Sequence, residues 1–256
     1  EYTREAGVRS LERAIARVLR KVTAKEALEE GTLPITVSAA NLKDYLGRPR
    51  FTPETKLTSS DRRTAVPGVA TGLAVTGAGG DVLYIEASLA ERETGITLTG
   101  QLGDVMKESA RIALSYLRSH GTELDLPVGE LKDRGVHVHV PAGAVPKDGP
   151  SAGVTMTTAL ASLLSGRPVR SDVAMTGEVS LTGRVLPIGG VKQKLLAAHR
   201  AGITTVLIPQ RNEPDLDDVP AEVLEKLDVH TMGDVRDVLA LALEPAQVPQ
   251  VAGAAA

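Results

Sequence analysis

Residues 146–153 read PKDGPSAG, and the chain continues from there into a largely apolar stretch. The step from Gly149 to Pro150 favours an extended backbone before Ser151, because the residue that precedes a proline is disfavoured in the α region. The apolar pattern then predicts a helix from about Ser151 to Leu164. This places Ser151 at or near a helix N-terminus, where backbone N–H groups and the helix dipole favour negative charge. A nucleophilic serine needs such a place, because its attack creates an oxyanion.

Two other interpretations of this loop stay open. Serine is a favoured N-cap residue, so Ser151 could do no more than accept hydrogen bonds from the first amides of the helix. A glycine-rich loop before a helix could instead hold a phosphate group. The phosphate interpretation is weakened because the chain contains no GxxxxGK[ST] pattern and no basic residue just after these glycines.

A nucleophilic serine needs a base, and a histidine pair lies just upstream of the loop. In residues 135–140, GVHVHV, the histidines alternate with valines, so a strand would place His137 and His139 on one face. Either imidazole could complete a Ser/His/Asp set with Asp148. The two histidines could equally ligate a metal, although no clear third ligand is apparent, or could simply line a polar face.

A lysine is the third candidate base. Residues 189–198 read GGVKQKLLAA and predict the start of a helix. Lys194 lies one helical turn from Val191 and Ala198, whose apolar side chains would let it lie against protein, whereas Lys192 points elsewhere. A lysine acts as a base only if burial lowers its pKa towards neutrality. The spacing alone does not decide which of the two lysines is buried.

The N-terminal part of the chain predicts a small helical unit. Residues 3–21 have helical spacing, and a second short helix is predicted within 36–46, so we assign 1–47 to this unit. Residues 48–67 contain three prolines, several Thr and Ser and little periodicity, which is typical of a linker.

Residues 68–243 alternate strand and helix patterns, which predicts a mixed α/β domain, and residues 244–256 are expected to be a disordered tail. The predicted strands are residues 68–76, 81–88, 94–99, 135–140, 171–179, 184–188, 204–208 and 228–231. The predicted helices are residues 101–119, 151–164, 190–201, 220–227 and 233–243.

Composition excludes several classes of function. The chain has no cysteine, so disulfides, thiolate metal sites and a cysteine nucleophile are excluded. A net charge of −3 gives no large cationic field, and no aromatic residue follows Tyr116, so nucleic acid is not indicated as a partner. No apolar run is long enough to span a bilayer, and no signal peptide opens the chain. Because the first residue is Glu1, we expect a fragment of a longer protein.

Several long stretches carry a resemblance to a known family. Residues 100–110 read GQLGDVMKESA, residues 135–151 read GVHVHVPAGAVPKDGPS, and residues 174–202 read AMTGEVSLTGRVLPIGGVKQKLLAAHRAG. In this order and spacing they closely resemble the proteolytic domain of the Lon protease family. The resemblance runs from Tyr2 to about Leu243 and implies a mixed-sheet α/β proteolytic domain. It also implies that a small, mainly helical AAA+ lid subdomain precedes that domain.

The resemblance implies roles for individual residues. Ser151 and Lys194 match a Ser–Lys catalytic dyad. Thr176 looks like the hydroxyl that helps to orient Lys194, and Asp148 looks like the acidic residue that shapes the loop and can gate it. His137 and His139 are then supporting residues. In the smaller unit, TREAGVR at residues 3–9 resembles a sensor region, which makes Arg9 the expected nucleotide sensor of the whole protein.

The resemblance also sets expectations for the whole protein. They are an ATP-dependent serine endopeptidase that uses ATP and Mg, forms a homohexamer in the cytoplasm and cleaves unfolded or misfolded polypeptides. No cofactor is expected for the present chain, which lacks the phosphate loop and should not hydrolyse ATP alone. Two rivals stay open: a serine hydrolase based on His139 and Asp148, and an assembly module whose site has decayed.

Overall fold

The computed structural model describes most of the chain, namely residues 2–3, 5–28, 34–50, 63–91, 94–141 and 146–246. These residues belong to two compact units. The smaller comprises Glu1–Lys56 and Thr76–Gly79, and the larger comprises Leu57–Val75 and Gly80–Ala256. Most of the predicted linker and most of the predicted tail lie outside the described residues, so both stay predictions.

In its described part the smaller unit contains two helices, α1 (Arg9–Ala27) and α2 (Leu42–Leu46). Helix α1 begins later than the helical spacing predicts, because the Glu5 carboxylate accepts hydrogen bonds from the amides of Ser10 and Leu11 at 2.8 and 2.9 Å. The carboxylate therefore serves the helix N-terminus, and these bonds lower the pKa of Glu5. No residue of α1 is buried, and its arginines form an exposed face.

The larger unit contains nine strands and five further helices among the described residues. The strands are β1 (Val69–Thr76), β2 (Gly79–Ala90), β3 (Ile96–Thr99), β4 (Gly135–His139), β5 (Val173–Met175), β6 (Glu178–Val179), β7 (Val185–Leu186), β8 (Thr205–Pro209) and β9 (Asp228–Met232). The helices are α3 (Asp104–His120), α4 (Gly153–Ser165), α5 (Val191–Arg200), α6 (Ala221–Leu224) and α7 (Val235–Ala242).

Seven of these strands form one sheet in the order β3-β4-β2-β1-β5-β8-β9. The β1/β5, β5/β8 and β8/β9 pairs are parallel, as is β3/β4, whereas β2 and β4 run antiparallel. The sheet is therefore mixed, which confirms the predicted fold class. Strands β6 and β7 form a separate two-stranded antiparallel ribbon.

The central strands bury both faces, because helices cover each side of the sheet. In β5, Val173 and Met175 pack into one apolar cluster with α3, α4 and α7, whereas Ala174 packs into a second cluster with α5 and α6. This alternation follows from the period of two along a strand. The core is almost entirely aliphatic, as the scarcity of aromatic residues predicts. Among the described residues, no helix has both the length and the apolar content that crossing a bilayer requires.

The prediction of one strand over residues 171–179 is wrong. Strand β5 ends at Met175, and the chain turns through Thr176 and Gly177 before β6 begins at Glu178 in the other ribbon. The turn brings Gly177 N–H to the carbonyl of Ser151 at 2.9 Å. Regular pairing with the main sheet therefore stops where the backbone instead bonds to the serine loop.

Candidate active site

Ser151 lies in a short 3-10 turn, Pro150–Ala152, that leads directly into α4. The predicted junction between loop and helix is therefore present. The Ser151 carbonyl accepts two hydrogen bonds, one from the Gly177 amide at 2.9 Å and one from Thr176 Oγ1 at 3.2 Å. These two bonds hold the serine against the turn that follows β5.

Helix α3 holds the other side of the serine loop. Its N-cap is Gly103, which has no side chain to cap the helix, and Asp148 Oδ1 accepts the Met106 amide at 3.0 Å instead. The same oxygen accepts the Gly149 amide at 2.8 Å. A side chain at Gly103 would collide with the Asp148 carboxylate. Asp148 therefore caps α3 from a distant segment and ties the loop before Ser151 to that helix.

Lys194 is buried on α5, and Lys192 is exposed. The Lys194 side chain is 3% exposed, and its Nζ donates to Thr176 Oγ1 at 2.9 Å. Burial lowers the pKa of Lys194 to about 8, because desolvation penalises the charged amine. The structure thus decides between the two lysines that spacing could not separate.

Thr176 connects the buried amine to the serine. Its hydroxyl accepts from Lys194 and donates to the Ser151 carbonyl, so one oxygen joins the two residues by two hydrogen bonds. The backbone N–H of Thr176 donates to Leu207 in β8 at 3.0 Å, and the residue is 1% exposed. The expected contact of Thr176 with Lys194 is therefore present and rigidly placed.

The two histidines lie together, and their hydrogen bonds are separate from this group of contacts. His137 Nε2 and His139 Nδ1 both bond Thr99 Oγ1, at 2.9 and 2.7 Å, so they share one face of β4 as predicted. Among the described residues, no hydrogen bond joins either imidazole to Asp148 or Ser151. No cluster of three or more potential metal ligands occurs in the described ranges.

Local hydrogen bonds occupy two of the backbone amides that follow Ser151. The Gly153 amide donates to the Pro150 carbonyl, and the Val154 amide donates to Gly177 at 3.0 Å. These two amides are engaged in this conformation and cannot also bind an oxyanion. Arg9, the expected nucleotide sensor, is the first residue of α1 in the smaller unit and is exposed.

Sequence reasoning missed two residues near this site. Thr99 bridges the histidines, and Asn212 bonds the main chain ahead of α5 at Ile188. Asn212 lies in the 3-10 segment Gln210–Asp218, for which the sequence suggested no regular element. The sequence changes at Pro209 from an apolar strand to a polar stretch, which could have indicated Asn212. That change does not show which of the polar side chains is buried.

The fold and these contacts define a class: a mixed α/β domain that ties a serine loop to a buried amine through a threonine hydroxyl. Residues 36–245 match the model of the Lon protease (S16) C-terminal proteolytic domain, and residues 1–35 match that of the Lon protease AAA+ ATPase lid domain. The chain belongs to the Lon protease family.

Individual relatives agree over nearly the whole chain. The Lon protease of Frankia alni is 79% identical over 249 residues, which are 96% of this chain and 28% of that protein. The Lon protease of Salinispora arenicola is 68% identical over 97% of this chain and 31% of its own length. That of Mycolicibacterium smegmatis is 64% identical over 100% of this chain and 32% of its own length. The chain thus spans about a third of the curated relatives that it matches.

Proposed function

We propose that this chain carries the peptide-cleaving site of an ATP-dependent serine endopeptidase, with Ser151 as nucleophile and Lys194 as base. The observation that carries the proposal is the state of Lys194. The residue is 3% exposed, and its amine has a pKa of about 8 and is bonded to the hydroxyl that also bonds the Ser151 carbonyl. An amine with a pKa near neutrality supplies the neutral form that a general base needs.

In the proposed mechanism, neutral Lys194 takes the proton of Ser151 Oγ, and Oγ attacks the carbonyl carbon of a peptide. The oxyanion is held by backbone amides near Ser151 other than those of Gly153 and Val154. The C–N bond then breaks, and the Lys194 ammonium gives its proton to the leaving amine, so an acyl-enzyme remains. Lys194 next takes a proton from water, and the hydroxide attacks the acyl carbon. The bond from that carbon to Ser151 Oγ then breaks, and the Lys194 ammonium returns its proton to Oγ, which frees the acid product. Thr176 keeps the amine aimed towards the serine.

The test compares substitutions of Ser151 and Lys194 with a substitution of Lys192, which lies two residues from Lys194. With an unstructured fluorogenic peptide as substrate, Ser151→Ala and Lys194→Gln should each abolish cleavage, whereas Lys192→Gln should leave it unchanged, because Lys192 is exposed. All three variants should keep the far-UV circular dichroism of the parent. Full cleavage by Ser151→Ala or Lys194→Gln would refute the assignment.

The two rival functions predict different outcomes. A base at His139 requires His139→Asn to abolish cleavage and Lys194→Gln to spare it. Since His139 Nδ1 bonds Thr99 and the Asp148 carboxylate bonds backbone amides, the contacts favour the lysine. An assembly module with a decayed site would leave Ser151 unlabelled by a serine-reactive or boronate probe.

For the longer protein we propose the remaining family properties. These are a homohexamer in the cytoplasm, unfolded or misfolded polypeptide substrates, and dependence on ATP and Mg. The described residues do not by themselves fit a nucleotide, because the chain has no phosphate loop and offers only the exposed Arg9 as a candidate contact. Sizing by light scattering tests assembly, and cleavage of an unfolded protein with and without ATP in the longer protein tests the dependence.

A further inference from the structure

Asn212 is a buried polar residue outside the proposed catalytic residues. It lies in the 3-10 segment Gln210–Asp218 that follows β8, and it is 5% exposed. Burying a side-chain amide is costly unless its polar atoms are hydrogen-bonded. The partners of Asn212 therefore indicate what the residue does in the fold.

The side-chain amide of Asn212 holds both polar groups of the Ile188 main chain. The Ile188 N–H donates to Asn212 Oδ1 at 2.9 Å, and Asn212 Nδ2 donates to the Ile188 carbonyl at 2.8 Å. Nδ2 also donates to Asp215 Oδ2 at 2.6 Å, which requires the NH₂ group to be on this side of the amide. The side chain thus forms the two hydrogen bonds with Ile188 that a neighbouring strand would form, although Ile188 lies outside the described strands.

Ile188 lies three residues before Val191, the first residue of the helix that carries Lys194. Gly190 precedes α5 in the left-handed conformation, with φ of +75°, and the Lys194 amide donates to the Gly190 carbonyl at 3.0 Å. Ile188 itself packs against the apolar cluster formed with α5. Ile188 therefore joins the chain that enters α5 to the apolar cluster on which α5 packs.

The same stretch of chain also holds the partner of Lys194. The Leu207 carbonyl in β8 accepts the Thr176 amide, and Asn212 follows only five residues later. Residues 207–212 consequently fix Thr176 on one side and the approach to α5 on the other. The segment 207–212 thus bonds Thr176, which accepts the hydrogen bond from Lys194, and also Ile188, which precedes the helix that carries Lys194.

We propose that Asn212 is a positioning residue that holds α5 at the depth where the Lys194 amine is shielded from water and bonded to Thr176. This inference rests on the proposed function, since Asn212 acts only through Lys194. Without the clamp on Ile188, the first turn of α5 can move outward and water reaches the amine. Burial lowers the pKa of Lys194 because desolvation penalises the charged amine. Hydration of the amine is therefore what the clamp controls.

The direct test does not require cleavage. In a Ser151→Ala background, the Lys194 amine is titrated by NMR of chain labelled with ¹³C at lysine Cε, and its signal is assigned by its loss in Lys194→Gln. Asn212→Ala should raise the midpoint by about one pH unit, because one unit is a modest fraction of what full burial can shift. Asp215→Ala removes only the hydrogen bond from Asn212 Nδ2 to Asp215 and leaves both bonds to Ile188, so it should raise the midpoint by less. Leu131→Ala, a buried site in the other apolar cluster, should lower Tm without moving the midpoint.

With Ser151 present, the pH profile of peptide cleavage should shift by the same amount. Cleavage by Asn212→Ala should then fall about tenfold at pH 7 and recover at pH 9.5, because a one-unit shift changes the neutral fraction about tenfold. An unmoved midpoint in Asn212→Ala, with a loss of Tm like that of Leu131→Ala, would overturn the proposal. If Asn212→Ala does not fold, an unmoved midpoint in Asp215→Ala has the same meaning. A parent chain that cleaves nothing refutes the proposed function, while the NMR titration still decides the role of Asn212.

Discussion

Replacing Lys194 with methionine should make this protein more stable at neutral pH. Burial lowers the pKa of Lys194 from 10.5 to about 8, and each unit is worth about 1.4 kcal/mol, so folding with a charged amine costs about 3 kcal/mol. Methionine has a similar length and no charge, so this cost disappears. The variant loses the hydrogen bond to Thr176, worth about 1 kcal/mol. The net gain at pH 7 is about 2 kcal/mol, or about 4–8 °C in Tm for a domain of this size.

The dependence on pH distinguishes this explanation from a general packing effect. Between pH 8 and 10.5 the unfolded chain binds more protons at Lys194 than the folded chain, so the stability of the parent rises with pH in this window. The methionine variant lacks this gain. The stability of the variant relative to the parent should therefore fall by about 3 kcal/mol as the pH rises through the window, from about 2 kcal/mol more stable to about 1 kcal/mol less stable.

Urea unfolding followed by far-UV circular dichroism, from pH 6.5 to 10.5, measures both effects. Lys192→Met is the matched control, because its side chain is exposed and its removal should change stability by less than about 0.5 kcal/mol at every pH. A Lys194→Met variant that is less stable than the parent at pH 7, by an amount independent of pH, would show that the amine is not desolvated as the structure has it.

Three further substitutions test the contacts around Ser151. Thr176→Val removes the oxygen that links the Lys194 amine to the Ser151 carbonyl, so cleavage should fall at least tenfold through lost positioning. The same oxygen stabilises the charged amine, so the midpoint of the pH profile should move below 8, whereas Thr176→Ser should keep both near the parent. Asp148→Ala removes the cap of α3 and should cost about 1–2 kcal/mol in urea unfolding, but Asp148→Asn keeps an oxygen for the Met106 amide and should cost less than half of that. Gly153→Ala places a methyl group 2.9 Å from the Val179 backbone nitrogen, so peptide cleavage should show a large loss while Tm decreases little. Cleavage equal to that of the parent would contradict the close approach.

The periodic part of the fold could be predicted from the sequence. Strand residues such as Val173 and Met175 alternate with Ala174, and long helices such as α3 and α4 have strong apolar patterns, so these elements were located to within a few residues. The break after β5 was not predicted, although the apolar run ends at Met175 and Thr176, Gly177 and Glu178 follow it, because a short polar step does not by itself show that pairing stops. Pairing with the Ser151 loop ends that strand, and such a contact between distant segments leaves no local pattern.

The sequence by itself determined the mixed α/β class, the placement of Ser151 where a loop enters a helix, and a short set of candidate bases. Tertiary structure alone decided that Lys194 is the buried amine and Lys192 is solvated, that His137 and His139 are bonded to Thr99, and that Asn212 holds the approach to α5. The physical reason is that a local pattern encodes the period of an element but not the depth of each side chain. Depth sets desolvation, and here it depends on segments far apart in the chain that meet only after folding.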